Sequence, residues 1–232
     1  MKNQIEFVVW GRYALFTDPL TRIGGEKFTY QIPTVQALKG ICESIYWKPT
    51  FNWVIDSIRV INPIRTQQQG IRPINYGGGN TLSYYTYLVE PEYEVRAHFE
   101  WNTKRDDLLH DRNEGKHFNI VKRMLERGGR RDIFLGTREC QGYVEPVEYG
   151  KKKSCYDNSE EIDFDLMYHS LIYPSESGNN ELIALFHVPI MKNGEISFNQ
   201  DTSLLPRKFV KNMDYEKIDT SGFEEFQEGG WI

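Results

Sequence analysis

Hydrophobic residues recur at helical spacing in two parts of the chain. In residues 33–47 and again in residues 116–127 they fall three or four positions apart, which places them on one face of a helix. Gly128 follows the second stretch and is a typical helix stop. The two apolar stripes consist of Val35, Leu38, Ile41, Cys42 and Ile45, and of Ile120, Val121, Met124 and Leu125.

Other stretches alternate between apolar and polar residues or are rich in aromatic and β-branched residues, which predicts strands. These are residues 4–16, 53–64, 84–88, 93–101, 133–135 and 143–147. The segment from residue 65 to about residue 86 holds three consecutive glutamines and three consecutive glycines, so we expect a long loop there. The order of elements predicts an α+β fold, namely a ferredoxin-like (RRM-like) β-α-β-β-α-β domain with inserted strands.

The composition changes after Gly150, where an acidic, loop-rich part begins. We therefore predict two domains, a ferredoxin-like domain at residues 1–148 and a small, mostly β C-terminal domain at residues 149–232. A hairpin is expected around Asn193-Gly194, between strands at residues 182–190 and 195–198. With both helices of the first domain on one face of its sheet, the other face is expected to be free, as in RNA-recognition domains.

Charge is distributed unevenly along the chain. The net charge is −5, yet residues 1–144 carry 20 Lys and Arg against 16 Asp and Glu, whereas residues 145–232 carry 8 against 17. If the protein binds a phosphate-bearing partner, the first domain is the part that suits it. The alternative is an ordinary solvated surface.

Several classes of protein are disfavoured by what the sequence lacks. The three cysteines are widely spaced and predict neither a disulfide framework nor a zinc site, and no phosphate-binding loop motif is present. No carboxylate pair has metal-ligand spacing, so no metal or cofactor is expected. The first residues form no apolar run long enough for a signal peptide or membrane span, which predicts a soluble, cytoplasmic protein.

Residues 111–117, with the sequence DRNEGKH, precede the second predicted helix. Asn113 is a good N-cap, which would place Lys116 and His117 in the first turn. Backbone N–H groups and the positive end of the helix dipole favour an anion there, so a phosphate site is one interpretation and a charged, solvated helix start is the other.

Two further segments have both a functional and an ordinary interpretation. Residues 127–131, RGGRR, suit a loop that contacts phosphates, or else a helix exit with solvated arginines. Tyr46 is adjacent to the first apolar stripe and could turn outward, although a structural tyrosine is the simpler interpretation.

The residues also form blocks that resemble a known family. They are YALFTDPL at 13–20, GGEK at 24–27, SIYWKPT at 44–50, YGGGNTL at 76–82, DRNEGKH at 111–117 and GGRRDIFLG at 128–136. Together they resemble the CRISPR-associated endoribonuclease of subtype I-C (Dvulg type), in the repeat-associated (RAMP) superfamily, from about residue 5 to residue 148. The resemblance implies cleavage of precursor CRISPR RNA within each repeat. It also implies retention on the 5′ handle, beside the other subunits of an antiviral surveillance complex.

The resemblance assigns roles to individual residues. The catalytic Tyr, Lys and His of the family fall on Tyr46, Lys116 and His117, which implies cleavage without a metal ion by attack of the 2′-OH. The products would be a 2′,3′-cyclic phosphate and a 5′-hydroxyl. Contacts with RNA are expected from the arginines of the basic segments, namely Arg112, Arg127, Arg130, Arg131 and Arg138.

Three alternatives stay open at the level of sequence. The chain could hold the 5′ handle without cutting RNA, as related proteins of other CRISPR subtypes do. It could bind or cut DNA, although the absence of an acidic metal cluster disfavours metal-dependent cutting. The third alternative is a globular scaffold with an acidic tail.

Overall fold

The computed structural model describes residues 3–19, 21, 25–198 and 201–214. Over these residues the chain forms three α-helices and fourteen strands. The helices are α1 (Val35–Ile45), α2 (Glu114–Glu126) and α3 (Pro174–Ser177). The strands are β1 (Gln4–Gly11), β2 (Tyr13–Ala14), β3 (Phe51–Val60), β4 (Thr66–Ile71), β5 (Ser83–Val89), β6 (Glu92–Trp101), β7 (Ile133–Phe134), β8 (Gln141–Pro146), β9 (Ile162–Asp163), β10 (Met167–Ile172), β11 (Glu181–His187), β12 (Ile190–Lys192), β13 (Glu195–Ser197) and β14 (Arg207–Asn212).

The main sheet has eight strands in the order β7-β8-β1-β6-β3-β13-β12-β9, and each pair of neighbours is antiparallel. The described part of the chain is therefore a mixed α+β protein with mostly antiparallel sheets and few helices, as the sequence predicts at that level. Two three-stranded sheets, β10-β11-β14 and β2-β5-β4, complete the architecture.

Helix α1 forms where the sequence predicts it. The side chain of Thr34 caps its beginning by accepting a hydrogen bond from the backbone N–H of Ala37. The whole predicted apolar stripe is buried, namely Val35, Leu38, Ile41, Cys42 and Ile45. Because this stripe packs into the same core as Val121 and Leu125 of α2, the two helices cover one face of the main sheet.

The opposite face of the main sheet is covered at its centre, so the expectation of a free face is wrong there. The backbone N–H of Tyr149 donates to Glu6, and that of Gly150 donates to Glu94, at 3.0 and 2.8 Å. The ring of Tyr149 also lies 4.2 Å from the guanidinium carbon of Arg96. Glu94 is fully buried as a result, and a stacking surface for RNA bases is not available at this position.

The prediction of a long loop from residue 65 to about residue 86 is wrong. The expected long loop contains strand β4, which pairs with β5 from Thr66 opposite Leu88 to Ile71 opposite Ser83. Its glutamines are largely exposed, so the strand lacks the apolar alternation that reveals strands in a sequence.

The predicted hairpin is correct at its turn and wrong in one strand. Asn193 and Gly194 do connect two paired strands, but these are β12 and β13. Strand β11 pairs instead with β10 and β14. Pro189 separates β11 from β12, because proline has no N–H group for a ladder hydrogen bond.

Residues beyond 149 contribute both to the main sheet and to a sheet of their own. Strand β13 pairs with β3, where Ile196 lies opposite Ile58, and Met191 and Ile196 join the main core. Strands β10, β11 and β14 form the separate sheet. Among the helices that the structure describes, none is long and apolar enough to cross a membrane.

Candidate functional site

The structure brings Tyr46, Lys116 and His117 together. Tyr46 directly follows α1, and Lys116 and His117 lie in the first turn of α2. The Tyr46 hydroxyl is 3.1 Å from Nδ1 of His117. Lys116 and His117 both approach Asp111, as described below, so the four side chains form one cluster.

The start of α2 has the capping geometry that the sequence predicts. The Asn113 side chain accepts a hydrogen bond from the Lys116 N–H at 3.0 Å, and its carbonyl accepts one from the His117 N–H at 3.1 Å. Adjacent residues on a regular helix diverge by about 100°. Lys116 and His117 still converge, because both side chains turn back toward the segment that precedes the helix.

The hydrogen bonds of His117 define which tautomer its neutral form adopts. Nε2 lies 2.7 Å from the carbonyl oxygen of Asp111, which is an acceptor only, so Nε2 carries the proton. Nδ1 is then free to accept a hydrogen bond from the Tyr46 hydroxyl. Both ring nitrogens therefore have partners within the protein.

His117 is completely buried and Tyr46 is 2% exposed. Three aromatic rings surround the imidazole, with centroids 5.4, 6.4 and 5.7 Å away, and they belong to Phe51, Phe99 and Trp101. This packing holds the ring in place on the core side. A reactant can exchange a proton with His117 only through one of its hydrogen-bond partners or after a neighbour moves.

Asp111 joins this cluster although the sequence does not single it out as a site residue. One carboxylate oxygen lies 2.6 Å from Nζ of Lys116, and the other accepts a hydrogen bond from the Thr50 hydroxyl at 2.7 Å. The second oxygen is also 3.5 Å from Nε2 of His117. Its place at the beginning of the DRNEGKH segment, six positions before the histidine, was the available signal.

The pKa values of the cluster follow from its contacts. Burial raises the pKa of Asp111, but hydrogen bonds from Lys116 and Thr50 and nearby positive charge outweigh burial and leave this pKa below its usual range. Burial and the charge of Asp111 raise the pKa of Tyr46, while the charge of Arg130 opposes them. The phenol is therefore protonated at neutral pH, and the carboxyl group is ionised.

The loop after α2 is attached to the end of α1. The backbone N–H groups of Arg130 and Arg131 donate to the carbonyl of Ser44 at 3.1 and 3.0 Å. This attachment places Arg130 close enough to act electrostatically on Tyr46. The side chains of Arg127, Arg130 and Arg131 are exposed, and so are available to a ligand at this end of α1.

The other two predicted RNA-binding arginines differ from these three, because one is bound within the protein and the other lies toward the opposite end of α1. The guanidinium of Arg112 donates to the carbonyls of Asn102 and Arg105 at 2.8 and 3.3 Å, and its side chain is only 17% exposed. It therefore holds the preceding loop together. Arg138 is exposed and follows Thr137, which lines a cavity with Thr34 at the start of α1, the end opposite to Tyr46.

The candidate cluster contains a carboxylate, an ammonium, a phenol and an imidazole. Within the residues for which positions are described, no three His, Cys, Asp or Glu side chains are grouped so that they could hold a metal ion. The groups present can transfer a proton and can place a positive charge beside an anion.

Comparisons with known proteins point to one family. A family model described as CRISPR-associated protein (Cas_Cas5) matches residues 4–199. Two curated relatives are both named CRISPR pre-crRNA endoribonuclease Cas5d. The one from Mannheimia succiniciproducens is 46% identical over 65 residues, a match that spans 28% of this chain and 28% of the relative. The one from Thermus thermophilus is 26% identical over 195 residues, which are 77% of this chain and 78% of the relative.

A solved structure shows the same relationship. It is described as that of a CRISPR-associated protein, and it is 39% identical to this chain with a TM-score of 0.74. The alignment covers 87% of this chain and 94% of the other.

Proposed function

Because the chain belongs to the Cas5d family of CRISPR-associated proteins, we propose that it cuts precursor CRISPR RNA within the repeat. After cleavage it stays on the 5′ handle, as a subunit of a type I-C surveillance complex. The names of the two curated relatives support the substrate. The observation that carries the chemistry is the 3.1 Å contact between the Tyr46 hydroxyl and Nδ1 of His117, with Lys116 connected to the same histidine through Asp111.

The proposed reaction is an internal transfer of the phosphodiester. The 2′-oxygen attacks the adjacent phosphorus, the bond to the 5′-oxygen breaks, and the products are a 2′,3′-cyclic phosphate and a 5′-hydroxyl. The 2′-OH must lose a proton, the phosphorane must be stabilised, and the 5′-oxygen must gain a proton. Acid–base groups and one fixed positive charge meet these needs without a metal ion.

The geometry suggests how each group acts. Tyr46 orients the 2′-OH, and its hydroxyl can pass a proton to Nδ1 of His117, which accepts a hydrogen bond from it. Because His117 is fully buried and Tyr46 is 2% exposed, the RNA reaches the phenol only after a neighbouring side chain moves. The Lys116 side chain is 51% exposed, so a phosphate can approach its ammonium group while Asp111 remains in contact with it.

The exposed arginines at residues 127–131 are proposed to contact the RNA backbone. Arg130 lies near Tyr46, so these arginines bring positive charge to the end of α1. Arg138 would contact the RNA only if the strand continued along α1 toward the end opposite Tyr46. Arg112 acts by shaping the loop that leads into the site.

We further propose that the core is ferredoxin-like. Strands β8-β1-β6-β3, with α1 and α2 on one face, have the order and direction expected of a β-α-β-β-α-β unit. The division into residues 1–148 and 149–232 stays a prediction. The separate β10-β11-β14 sheet supports it, and the pairing of β13 with β3 means that the two parts share a sheet.

The decisive experiment compares His117→Ala with the unchanged protein on repeat RNA in EDTA. We expect the variant to cut at least about 10²-fold more slowly, because acid–base help of that size is lost, and to bind RNA nearly as well. The matched control is His110→Ala, since His110 is exposed in the segment before α2. Cleavage by the His117 variant at the normal rate would contradict the assignment.

The same assay separates the alternatives. RNA that stays intact with the unchanged protein supports a subunit that binds the handle without cutting. A single deoxynucleotide at the cut site removes the 2′-OH, so cutting must stop if the mechanism is correct. Cutting of DNA that required a divalent metal ion would instead support the nuclease alternative.

A further inference from the structure

We propose that Asp111 is the positioning residue of the cleavage site, where it holds Lys116 and His117 in their working arrangement. This inference rests on the proposed ribonuclease function and assigns a role to a residue that the family resemblance leaves out. It is carried by five contacts that Asp111 makes, three through its carboxylate oxygens, to Lys116, Thr50 and His117, and two through its backbone carbonyl.

One carboxylate oxygen of Asp111 contacts Lys116, and the other contacts Thr50. Oδ1 lies 2.6 Å from Nζ of Lys116, whose side chain is otherwise half exposed and free to rotate. Oδ2 accepts a hydrogen bond from the Thr50 hydroxyl at 2.7 Å. A lysine side chain has large rotamer entropy, so this ion pair selects the conformations that keep the ammonium at Asp111, whose other carboxylate oxygen is 3.5 Å from the imidazole.

Thr50 makes the carboxylate a fixed support. It is 1% exposed, and its carbonyl accepts a hydrogen bond from the N–H of Asn102 at 2.9 Å. Its hydroxyl therefore has a defined position at the start of β3. Because the hydrogen bond from Thr50 fixes Oδ2 of Asp111, the position of Oδ1 beside Lys116 is fixed as well.

The backbone carbonyl of Asp111 sets the tautomer of His117. It receives the ring N–H of Nε2 at 2.7 Å and the N–H of Asn113 at 2.8 Å. With Nε2 protonated, Nδ1 offers its lone pair to Tyr46. When a proton then reaches Nδ1, the imidazolium has the carboxylate Oδ2 at 3.5 Å, and this negative charge stabilises it.

Single-turnover cleavage with an excess of the full-length protein tests the role. Asp111→Asn keeps the shape and the backbone carbonyl and removes the charge. We expect its maximal rate constant to fall about 10- to 100-fold, the loss that is typical when a group that orients a metal-binding residue is replaced. The dissociation constant for RNA should be unchanged or lower, since a negative charge near the phosphate is gone.

Three further variants complete the test. Asp111→Glu restores the carboxylate and should recover part of the lost rate. Thr50→Val keeps the carboxylate charge of Asp111 but removes the hydrogen bond that fixes it. Its cleavage rate should therefore fall less than that of Asp111→Asn. Asp106→Asn is the matched control, because it removes the same charge from the same segment, where Asp106 is 83% exposed. It should cut at the normal rate.

The outcomes distinguish this inference from the proposed function. If the unchanged protein does not cut the repeat, the ribonuclease proposal fails and the inference falls with it. If the unchanged protein cuts and Asp111→Asn cuts equally fast, only the inference is overturned. Circular dichroism and melting curves show whether each variant folds. If Asp111→Asn does not fold, a normal rate in Thr50→Val overturns the inference and a reduced rate with unchanged RNA affinity supports it.

Discussion

At the scale of single residues, the site depends on contacts between parts of the chain that are distant in sequence. Tyr46 and His117 are 71 positions apart, and each alone has an ordinary structural interpretation. The N-cap role of Asn113 could be predicted, because capping depends on residues three positions away. The contact between Tyr46 and His117 depends on how two helices pack, so local patterns carry no signal for it.

Arg130 provides a prediction at this scale. Its exposed side chain lies at the end of α1 near Tyr46, so Arg130→Ala should weaken RNA binding and reduce the salt slope. The expected reduction is about 0.7 to 0.9 in the plot of log affinity against log salt, which is the value for one lost phosphate contact.

Filter binding or anisotropy at several salt concentrations measures this slope. Lys151→Ala is the control, because Lys151 is 68% exposed and pairs with Glu148 away from the cluster. An Arg130 variant with the original slope would show that this side chain does not touch the RNA backbone.

At the scale of secondary structure elements, the sequence best predicts those elements whose apolar pattern is strong. Helix α1 was predicted to within two residues, because its five apolar residues all face the core. Strand β4 was missed, because its pairing with β5 is made by backbone groups while its side chains are mostly polar. The hairpin error has a similar origin, since an Asn-Gly pair identifies a turn but not which strands pair there.

The cap of α2 gives a prediction for an element. Asn113→Ala removes the side chain that accepts the Lys116 N–H, so an N–H group at the helix start loses its partner. We expect the free energy of unfolding to fall by about 1 kcal/mol, within a usual range of about 0.5 to 2 kcal/mol.

Urea unfolding followed by circular dichroism measures this change. Asn113→Asp keeps an acceptor at the cap and is the control, since it should unfold with nearly the original free energy. Equal stability of the alanine variant would mean that the cap contributes nothing to α2.

At the scale of the whole molecule, the C-terminal part buries two histidines on its neighbouring strands β10 and β11. His169 and His187 are 6% and 5% exposed, and their ring centroids are 4.7 Å apart. Burial, together with the charges of His187 and Lys39, lowers the pKa of His169 to about 3. Burial lowers the pKa of His187 to about 4.

These pKa values predict how stability depends on pH. In the unfolded chain a histidine has a pKa of about 6.5. Between that value and about 4 the unfolded state therefore binds protons that the folded state excludes, and unfolding becomes easier as the pH falls. Each histidine should contribute a slope of about 1.4 kcal/mol per pH unit in this window and none above it.

Urea unfolding between neutral pH and the acid end of this window tests the prediction. Acidic residues titrate in the lower part, so the comparison is made with His169→Gln, which cannot gain a proton. The variant should lose stability less steeply as the pH falls. Identical slopes for the two proteins would show that His169 does not contribute.

The pairing of β3 with β13 has a consequence for how the protein is made. The ribosome delivers β3 and the whole Tyr46, Asp111, Lys116 and His117 cluster well before it reaches Ile196, the partner of Ile58. Until then one side of β3 has unpaired N–H and C=O groups that can template association between chains. A nascent chain cut short ahead of β13 would therefore contain the residues of the candidate site but aggregate through that open edge.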